Sequence, residues 1–579
     1  MLDLQQKNPA EIASQRALDM MFECIRTRKN FRLEAGAGAG KTYSLIEALK
    51  LIINEQGKTL QHSHQQVACI TYTNVATDEI ISRTDGHPVI YASTIHAFCW
   101  NMISSFQPYL RLNVVEIDAW SDKLEEAGGV GTRKIHYDLG YRNINDTHLH
   151  LHHDDVLTLM VALLEQRKFR FILNARFPIL FIDEYQDTNI NFANSLLQHF
   201  ISPETGPLIG LFGDSWQKIY GDGSGLIEDK KLKYIGKEAN FRSAKSIVDV
   251  LNKIRPNLPQ SVKDVEAIGT VTVYHSNDWV GTRRGGSHWK GDLPIENAHV
   301  FLERLRQRLS NEGWDFSTDQ TKILMLTHTV LAAEQNYSKI ASTFPYNDLF
   351  IKKEDPHISF LVDTVEPMCT AFQSGYYGAM FSVIGTGFDY IRTIEDKKAW
   401  ARDMRSLIKL RETGTIGEVL DLLKTTHRPR LPDTVQSTEA KLVETSPEDI
   451  KESQKLSQVS KLREIPYKEI TALSLFVNNH TPFSTNHGVK GAEFENVLVV
   501  LGRGWNQYNW NQFFDWFPDK YPRDKADSYE RNRNLFYVAC SRPKKRLALL
   551  ITQELSEKSL DTLSSWFGAE NVISFAPDK

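Results

Sequence analysis

Short segments of alternating or continuous apolar residues recur along the first half of the chain and predict β-strands. Residues 30–34 alternate apolar and polar side chains, whereas residues 179–183 and 208–212 are nearly continuous apolar runs. Such runs are typical of central strands in a parallel sheet that is buried on both faces. Residues 44–53 carry the closely spaced apolar side chains of a buried helix. The pattern predicts an α/β protein.

Residues 101–176 differ, because they show helical stretches without a further strand, loop and helix succession. They predict an inserted helical subdomain. Four closely spaced histidines followed by two acids lie within it: His148, His150, His152, His153, Asp154 and Asp155. A metal site usually draws on ligand pairs that are separated along the chain, and this cluster lacks that spacing. We interpret it as a helix start capped by aspartate and predict no metal there.

A loop of small residues joins the first predicted strand to the first buried helix. It reads Ala35, Gly36, Ala37, Gly38, Ala39, Gly40, Lys41 and Thr42. Small residues let backbone N–H groups close around phosphate oxygens, and the N-terminus of the following helix adds a partial positive charge. Lys41 is expected to reach the outer phosphates, and the Thr42 hydroxyl to hold Mg²⁺. The loop predicts a phosphate-binding P-loop, although Ala35 stands where the usual pattern has glycine.

Two acids end the apolar run at residues 179–183 and predict a hydrolytic site. Asp183 is expected to orient Mg²⁺ through water, and Glu184 to polarise the attacking water, because phosphoryl transfer depends on positioning and charge neutralisation. After the next strand, Gln217 is placed to sense a terminal phosphate. Further on, Phe241 and Arg242 combine an aromatic face with a guanidinium, which suits a stacked base beside a phosphate.

Other polar and aromatic residues follow predicted strands and are candidates for nucleic-acid contacts. Tyr72 ends one strand, and Thr94 and His96 lie in a segment of small polar residues beside an aromatic. Such types suit backbone binding and base stacking, although strand ends in any α/β protein carry similar residues. Gln15 lies on a predicted helix upstream of the P-loop. Its amide can read an adenine edge, but by itself it is typical of an ordinary surface residue.

The composition of the chain limits the classes of protein to which it can belong. The chain has 579 residues, of which 41% are hydrophobic and 24% charged, as in soluble proteins with several domains. It has neither an apolar run of about 18 residues nor an N-terminal signal pattern, so we expect a cytoplasmic protein without a membrane partner. Its five cysteines show no CxxC spacing, which predicts neither disulfides nor zinc. A net charge of -4 argues against a uniformly basic DNA-coating protein but allows a local basic groove.

Together these segments resemble the motifs of the superfamily 1 DNA helicases of the UvrD/PcrA/Rep type, both in their order along the chain and in their residues. The resemblance continues at residues 485–495 and 535–542, which look like the fifth and sixth motifs of that family. It implies two RecA-like P-loop domains, each with an inserted, mainly helical subdomain. The implied division is residues 1–100 and 177–240 for the first RecA-like domain, 101–176 for its helical insertion, 241–342 and 471–579 for the second RecA-like domain, and 343–470 for a short second insertion.

Within the second RecA-like domain, four apolar segments are expected to be strands of one sheet: residues 270–274, 322–327, 497–501 and 547–551. Within the second insertion, the polar and charge-rich residues 428–460 predict a partly flexible stretch.

The resemblance also implies roles at an ATP and Mg²⁺ site. The hydrolytic core would consist of Lys41, Thr42, Asp183 and Glu184, with Gln217, Arg242 and Arg542 as γ-phosphate sensors. Gln15 and Phe241 would bracket the adenine, and Glu493 would approach the nucleotide from the second core domain. Arg542 would act as an arginine finger from that same domain.

For single-stranded DNA, the resemblance implies contacts from Tyr72, Thr94, His96 and His487. The family usually has an aromatic residue two positions after the tyrosine of its third motif, and here that position is Asp222. One stacking platform is therefore missing or is supplied by Trp216 instead, and such a platform contributes roughly 1–3 kcal/mol per base.

The expected activity is ATP-dependent translocation on single-stranded DNA with 3′–5′ helicase action on tailed duplex DNA, in repair, replication or anti-phage defence. An alternative is a regulatory subunit that senses nucleotides or DNA ends and controls a separate partner nuclease without processive unwinding. The compact size is similar to that of helicase-like subunits of Gabija-type defence systems, whose OLD-type endonuclease is encoded separately. The short second insertion and Asp222 motivate this alternative.

Overall fold

The computed structural model describes residues 8–138, 142–218, 221, 223–325, 328–385, 391–485, 491–503, 508–518 and 520–576. The chain forms two compact units. The first consists of Met1–Val271, Phe513–Leu547 and Asp561–Asn571, and the second of Thr272–Gln512, Ala548–Leu560 and Val572–Lys579.

The strands, in chain order, are β1 (Phe31–Ala35), β2 (Val67–Thr71), β3 (Ile90–Thr94), β4 (Lys134–His136), β5 (Asn143–Ile144), β6 (His148–His150), β7 (Ile179–Asp183), β8 (Leu208–Gly213), β9 (Lys233–Lys237), β10 (Ala239–Asn240), β11 (Ser261–Val262), β12 (Thr270–His275), β13 (Thr321–Met325), β14 (Phe483–Thr485), β15 (Phe494–Leu501), β16 (Pro543–Ile551) and β17 (Val572–Ser574).

The α-helices are α1 (Pro9–Thr27), α2 (Lys41–His62), α3 (Asn74–Arg83), α4 (Ile95–Ile103), α5 (Gln107–Asn113), α6 (Ser121–Glu126), α7 (His153–Leu164), α8 (Arg167–Arg176), α9 (Ile190–Leu196), α10 (Lys245–Ile254), α11 (Ile295–Asn311), α12 (His328–Glu334), α13 (Ser338–Thr343), α14 (Asp348–Ile351), α15 (Pro356–Phe360), α16 (Glu366–Gln373), α17 (Tyr377–Ile384), α18 (Ile394–Thr413), α19 (Ile416–Thr426), α20 (Asp433–Glu444), α21 (Pro447–Glu452), α22 (Gln454–Arg463), α23 (Lys468–Val477), α24 (Trp510–Trp516), α25 (Ala526–Cys540) and α26 (Glu557–Phe567). Among the described residues, no helix is apolar over a long enough span to cross a bilayer.

The first unit is built on a six-stranded sheet with the order β3-β2-β7-β8-β1-β9, and all of its pairs are parallel. Its four interior strands, β2, β7, β8 and β1, are buried along their whole length, as the apolar runs of β7 and β8 predict for those two. On one face, the rings of Phe31, Phe181 and Phe212 contact one another with centroids 5.3 to 6.0 Å apart. On the other face, Leu180 and Ile182 join the core beneath the first insertion.

The second unit contains another six-stranded sheet, with the order β14-β13-β15-β16-β12-β17. The pairs of β13 with β14 and with β15 are parallel. Helices α13 to α23 follow β13 along the chain, and most of them contribute to a separate apolar core. The α/β fold class with two parallel-sheet domains is therefore confirmed. Each of the four segments predicted as strands of the second sheet forms a strand in its described part, and residues 326–327 lie outside the described residues.

The first insertion is mainly helical but also contains the small sheet β4-β6-β5. His148 and His150 lie on its strand β6, so the helix predicted at the histidine cluster begins later, at His153. His152 caps that helix, with Asp155 in the reciprocal position of a capping box. A three-residue strand has too short a pattern to be recognised from its sequence, and pairing with β4 determines it.

The stretch predicted to be partly flexible, residues 428–460, is instead largely helical. It contains α20 and α21 and most of α22. Val435 on α20 is fully buried in the core of the second insertion, so tertiary packing orders a segment whose composition is mostly polar.

Candidate active site

The ends of three adjacent strands in the first unit bring the main candidate residues together. Strand β1 ends at Ala35, β7 at Asp183 and β8 at Gly213, and β8 pairs with both of the others in parallel. Because the strands are parallel, all three carboxyl ends lie at the same edge of the sheet. Ligands of α/β proteins bind at this kind of edge.

The loop after β1 is held in its conformation by side chains from distant parts of the chain. The Ala37 carbonyl accepts hydrogen bonds from Asn240 Nδ2 at 3.1 Å and from Gln260 Nε2 at 3.0 Å. The Ala37 N–H donates to the Tyr537 hydroxyl at 3.3 Å. These contacts fix the loop independently of any ligand.

Glycine is required at Gly38, where φ is +73° and a Cβ atom would lie 2.8 Å from the Cβ of Arg242. The Gly38 carbonyl accepts the Phe241 N–H at 2.9 Å, which ties the loop to the segment containing both predicted nucleotide contacts, Phe241 and Arg242. Helix α2 begins after Gly40, also left-handed, so Lys41 and Thr42 occupy its first turn.

Lys41 forms ion pairs with both predicted hydrolytic acids. Its Nζ contacts Glu184 directly and lies 3.5 Å from Asp183 Oδ1. Burial by itself would lower the pKa of Lys41, but the charges of Glu184 and Asp183 outweigh it, so this pKa lies above its ordinary value. Burial raises the pKa of Asp183, and the Lys41 charge opposes that rise. The three predicted residues therefore form one cluster.

Glu184 is held in an uncommon conformation. Its φ is +50°, in the left-handed region that a residue with a side chain rarely adopts. Gln186 Nε2 donates to Glu184 Oε2 at 2.6 Å, and Gln186 Oε1 accepts the Asp214 N–H at 3.1 Å. The fully buried Gln186 amide thus orients the carboxylate and links the ends of β7 and β8.

The three predicted phosphate sensors also converge. Arg542 Nη2 donates to Gln217 Oε1 at 3.2 Å, and Arg242 Nη1 donates to the Ser541 carbonyl at 3.0 Å. Arg542 is 1% exposed, and burial lowers its pKa, as does the neighbouring charge of Arg242. Arg542 and the P-loop belong to the same compact unit, because that unit includes Phe513–Leu547.

Beside the sensors lies a buried network that the sequence patterns did not indicate. Arg255 donates to Asp214 Oδ1 at 2.5 Å and to Glu34 Oε1 at 2.9 Å. Glu34 also accepts from the Tyr185 hydroxyl and from the Ser215 hydroxyl, both at 2.6 Å. Burial favours a higher pKa for Glu34, but Arg255 and these donors outweigh it and lower the pKa.

This network supports Gln217, because Asp214 Oδ2 accepts from Gln217 Nε2 at 2.8 Å. Glu34 and Arg255 are 221 positions apart in the chain, so local periodicity could not reveal their pairing. The only local signal was the carboxylate of Glu34 within a strand, and Arg32 of the same strand offers a nearer charge partner in the sequence.

The donor set at the loop fits Mg²⁺. The Asp183 carboxylate is at the strand end, where it also accepts the Glu184 N–H at 3.0 Å, and Thr42 adds a hydroxyl from the first turn of α2. Carboxylate, hydroxyl and water oxygens are the ligands that Mg²⁺ prefers.

Exposed aromatic rings lie near the loop where a base could stack. Phe241 is 37% exposed, and Tyr43, which sequence analysis did not single out, is 46% exposed directly after Thr42. Gln15 lies on α1, where its Nε2 donates to Asp19 Oδ1 at 2.9 Å. Glu493 belongs to the second unit, where it is exposed immediately before β15.

The predicted DNA contacts of the first unit occupy the same sheet edge. Thr71 and Thr94 are register partners at the ends of β2 and β3, so Tyr72 and Thr94 lie near each other. Tyr72 is 43% exposed. His96 follows in α4, with its ring 5.2 Å from that of His153, and burial lowers the pKa of His96, as does His153.

Trp216, considered as a replacement stacking platform, is engaged within the protein. The guanidinium carbons of Arg533 and Arg255 lie 4.3 and 5.1 Å from its ring centroid, and Tyr537 meets it edge to face at 5.5 Å. His487 and Asp222 lie outside the described residues.

The chain matches two family models and is similar to a Gabija protein over most of its length. Residues 20–222 match the AAA domain family, and residues 317–554 match the UvrD-like helicase C-terminal domain family. The chain is similar to the Gabija protein GajB of Bacillus cereus (strain HuB5-5), with 25% identity over 680 aligned residues that cover 94% of this chain and 96% of that protein.

Proposed function

Because the chain belongs to the UvrD-like helicases, we propose that it uses ATP hydrolysis to move along single-stranded DNA and to separate tailed duplex DNA. The observation that carries the proposal is the convergence of Lys41, Glu184 and Asp183 with Gln217 and Arg542 at the carboxyl edge of one parallel sheet. This set provides what phosphoryl transfer requires, namely a cation for the phosphates, a carboxylate for the water and a terminal-phosphate sensor.

In this proposal, the nucleotide takes over contacts that protein groups now make with one another. Lys41 leaves its carboxylate partners to contact the outer phosphates, and Glu184 is then available to hold the attacking water and accept its proton. Gln217 and Arg542 contact the terminal phosphate. Mg²⁺ held by Asp183 and Thr42 would neutralise charge that develops on the phosphates.

The DNA strand is proposed to lie along the edge that carries Tyr72, Thr94 and His96, beside the nucleotide. An exposed tyrosine can stack on a base of any sequence, as a translocase needs. By resemblance to the family, movement is proposed to run 3′ to 5′ through alternating grip of two RecA-like domains. The division into domains at residues 101–176 and 343–470 is part of the same proposal.

Strand displacement on two substrates tests this function. The duplex is identical in both, and only the single-stranded tail changes from 3′ to 5′. We expect DNA-stimulated ATP turnover and displacement from the 3′-tailed duplex alone. Displacement from the 5′-tailed duplex alone would show that the polarity is the opposite of the one proposed. The absence of DNA-stimulated turnover would contradict the proposal that the protein is a DNA motor.

A second function is favoured by the similarity to the Gabija protein GajB over nearly the full length of both chains. In this proposal, the protein is a defence subunit that responds to nucleotides or DNA ends and controls a separate OLD-type nuclease. Purified chain alone and chain with its co-purified partner are compared for strand displacement and DNA cleavage. Nucleotide binding without displacement, combined with cleavage that depends on this chain, would favour the control function over the motor.

A further inference from the structure

A second lysine lies directly behind the phosphate loop. Lys237 is the last residue of β9, is fully buried, and pairs in register with Ala35 at the end of β1. Its Nζ donates to the Gly40 carbonyl at 2.9 Å and to the Ser44 hydroxyl at 2.6 Å. It also lies 5.5 Å from the centroid of the Tyr43 ring. The ammonium therefore contacts the first turn of α2 on the side opposite to solvent.

No carboxylate neutralises this lysine among the described residues. The elements packed around it are β1, α1 and α2. Their charged and titratable groups, with those of β9 itself, are Glu11, Arg16, Asp19, Glu23, Cys24, Arg26, Arg32, Glu34, Lys41, Tyr43, Glu47, Lys50, Glu55, Lys58, His62, Lys233 and Tyr234. None of the carboxylates in this set pairs with Lys237, and burial alone lowers the pKa of Lys237 to about 7.

A buried cation without a counter-ion is unfavourable, and here it also faces the positive end of a helix. Gly40, at the N-cap of α2, has no side chain to cap the helix. Lys237 instead binds the Gly40 carbonyl that already accepts the Ser44 N–H at 3.2 Å. The lysine thus fixes the turn that presents Lys41 and Thr42, and a polyphosphate on the other side of that turn would supply the missing negative charge.

We propose that Lys237 is a positioning residue for the phosphate loop and that it takes up a proton from solvent when a nucleotide polyphosphate binds. The proposal rests on the proposed function in one respect, since it takes the loop to bind the phosphates of ATP. The ligand whose negative charge balances that of Lys237 is a di- or triphosphate. It binds through the loop and does not contact Lys237 directly.

The sign of the pH dependence follows from linkage. If a bound polyphosphate raises the pKa of Lys237 by about one unit, the protonated protein binds about tenfold more tightly than the neutral one. Below the pKa of the free protein, near 7, Lys237 is already charged and binding takes up no proton. As pH rises above that value, binding must recruit the proton and affinity falls.

Two variants separate charge from hydrogen bonding. Lys237→Met keeps the length of the side chain but removes both, and Lys237→Gln keeps a donor without the charge. We expect Lys237→Met to raise the KM for ATP about tenfold at pH 6, with kcat changed far less, and to approach wild type near pH 9. Lys237→Gln is expected to recover part of the affinity at every pH but none of the pH dependence. A merely structural lysine would instead lower stability without changing the pH profile.

Calorimetry of ADP binding at pH 7.5 in two buffers of different ionisation enthalpy measures the proton directly. We expect wild type to take up about half a proton more than Lys237→Met. A rise of about one unit in the pKa of Lys237, centred on pH 7.5, increases the protonated fraction of its amine by about half. Lys233→Met, at an exposed lysine of the same strand, is the matched control and should behave as wild type.

Equal proton uptake by wild type and Lys237→Met, or unchanged affinity in Lys237→Met at pH 6, would overturn the role of Lys237. Wild-type protein that binds no ADP or ATP at all would instead contradict the proposed function. The two failures are therefore distinguishable.

Discussion

Two clusters of buried charge lie at neighbouring strand ends of the first unit, and they differ in how completely protein groups enclose them. The cluster of Glu34, Arg255 and Asp214 is closed, since their side chains are only 1 to 3% exposed. The cluster of Lys41 and Glu184 is open, since their side chains are 16% and 24% exposed. Both contain an ion pair, yet only the second includes a residue of the phosphate loop, Lys41.

The difference teaches how to distinguish a supporting ion pair from one that a ligand replaces. In the closed cluster each carboxylate has several donors, so rearrangement would leave buried charges unpaired. In the open cluster a strained backbone at Glu184 and an accessible lysine allow partners to be exchanged. We therefore expect mutations in the open cluster to change turnover and mutations in the closed cluster to change stability.

The largest effect is expected for Lys41→Ala. Removing the phosphate cation should lower ATP turnover by at least about a thousandfold, because positioning and charge neutralisation supply most of the catalysis. Lys50→Ala, at an exposed lysine of the same helix that pairs with Glu47, is the control and should retain turnover. Steady-state phosphate release measures both variants, and normal turnover by Lys41→Ala would refute the site.

Glu184→Gln is expected to separate binding from hydrolysis. Loss of the proton acceptor should slow the chemical step by about a hundred- to thousandfold, while the amide still accepts the hydrogen bond from Gln186. Single-turnover hydrolysis and equilibrium binding of a fluorescent nucleotide measure the two effects. Equal loss of binding and hydrolysis would mean that Glu184 maintains the loop structure instead.

Arg255→Met tests the closed cluster. It leaves the buried Asp214 carboxylate without its cation and removes one of the two arginines that pair with Glu34, since Arg32 Nε also lies 3.5 Å from Glu34 Oε2. The free energy of unfolding should fall by about 3–5 kcal/mol in urea denaturation. Arg26→Met is the control, because Arg26 forms an exposed ion pair with Glu55 and should leave the midpoint unchanged. If Arg255→Met lowered turnover without lowering stability, the distinction between the clusters would fail.

The smallest effect is expected at the DNA edge. Tyr72→Ala should weaken binding of single-stranded oligonucleotides by about 1–3 kcal/mol, as loss of one stacked base does. Its dependence on salt should stay the same, because no phosphate contact is removed. Trp216→Ala is the comparison variant, and we expect it to lower stability more than DNA affinity, since guanidinium groups from Arg255 and Arg533 pack on its ring.

Sequence alone predicted the parts of the site that depend on local order. The loop at residues 35–42 and the acids at the end of β7, Asp183 and Glu184, each follow from the pattern of one short segment. Lys237 and the pair of Glu34 with Arg255 escaped prediction, because only tertiary folding brings each of them to its partners, at the start of α2 and at the end of α10. The identity of a residue at the end of a strand is local information, whereas its partner is tertiary information.

The two insertions also contain elements that tertiary structure determines and that the local sequence did not reveal. The helices of residues 428–460 escaped because a mostly polar segment was ordered by a few buried side chains such as Val435. Strand β6 escaped because its three residues carry too little periodicity.

The hydrogen bonds that the Asn240 and Gln260 amides donate to the Ala37 carbonyl have a consequence for the rate of nucleotide binding. A phosphate loop that holds its binding conformation before the nucleotide arrives needs no ordering of the chain each time a nucleotide binds. The association rate can therefore approach the rate of diffusional encounter. The pace of repeated cycles would then depend on hydrolysis and on the departure of spent nucleotide.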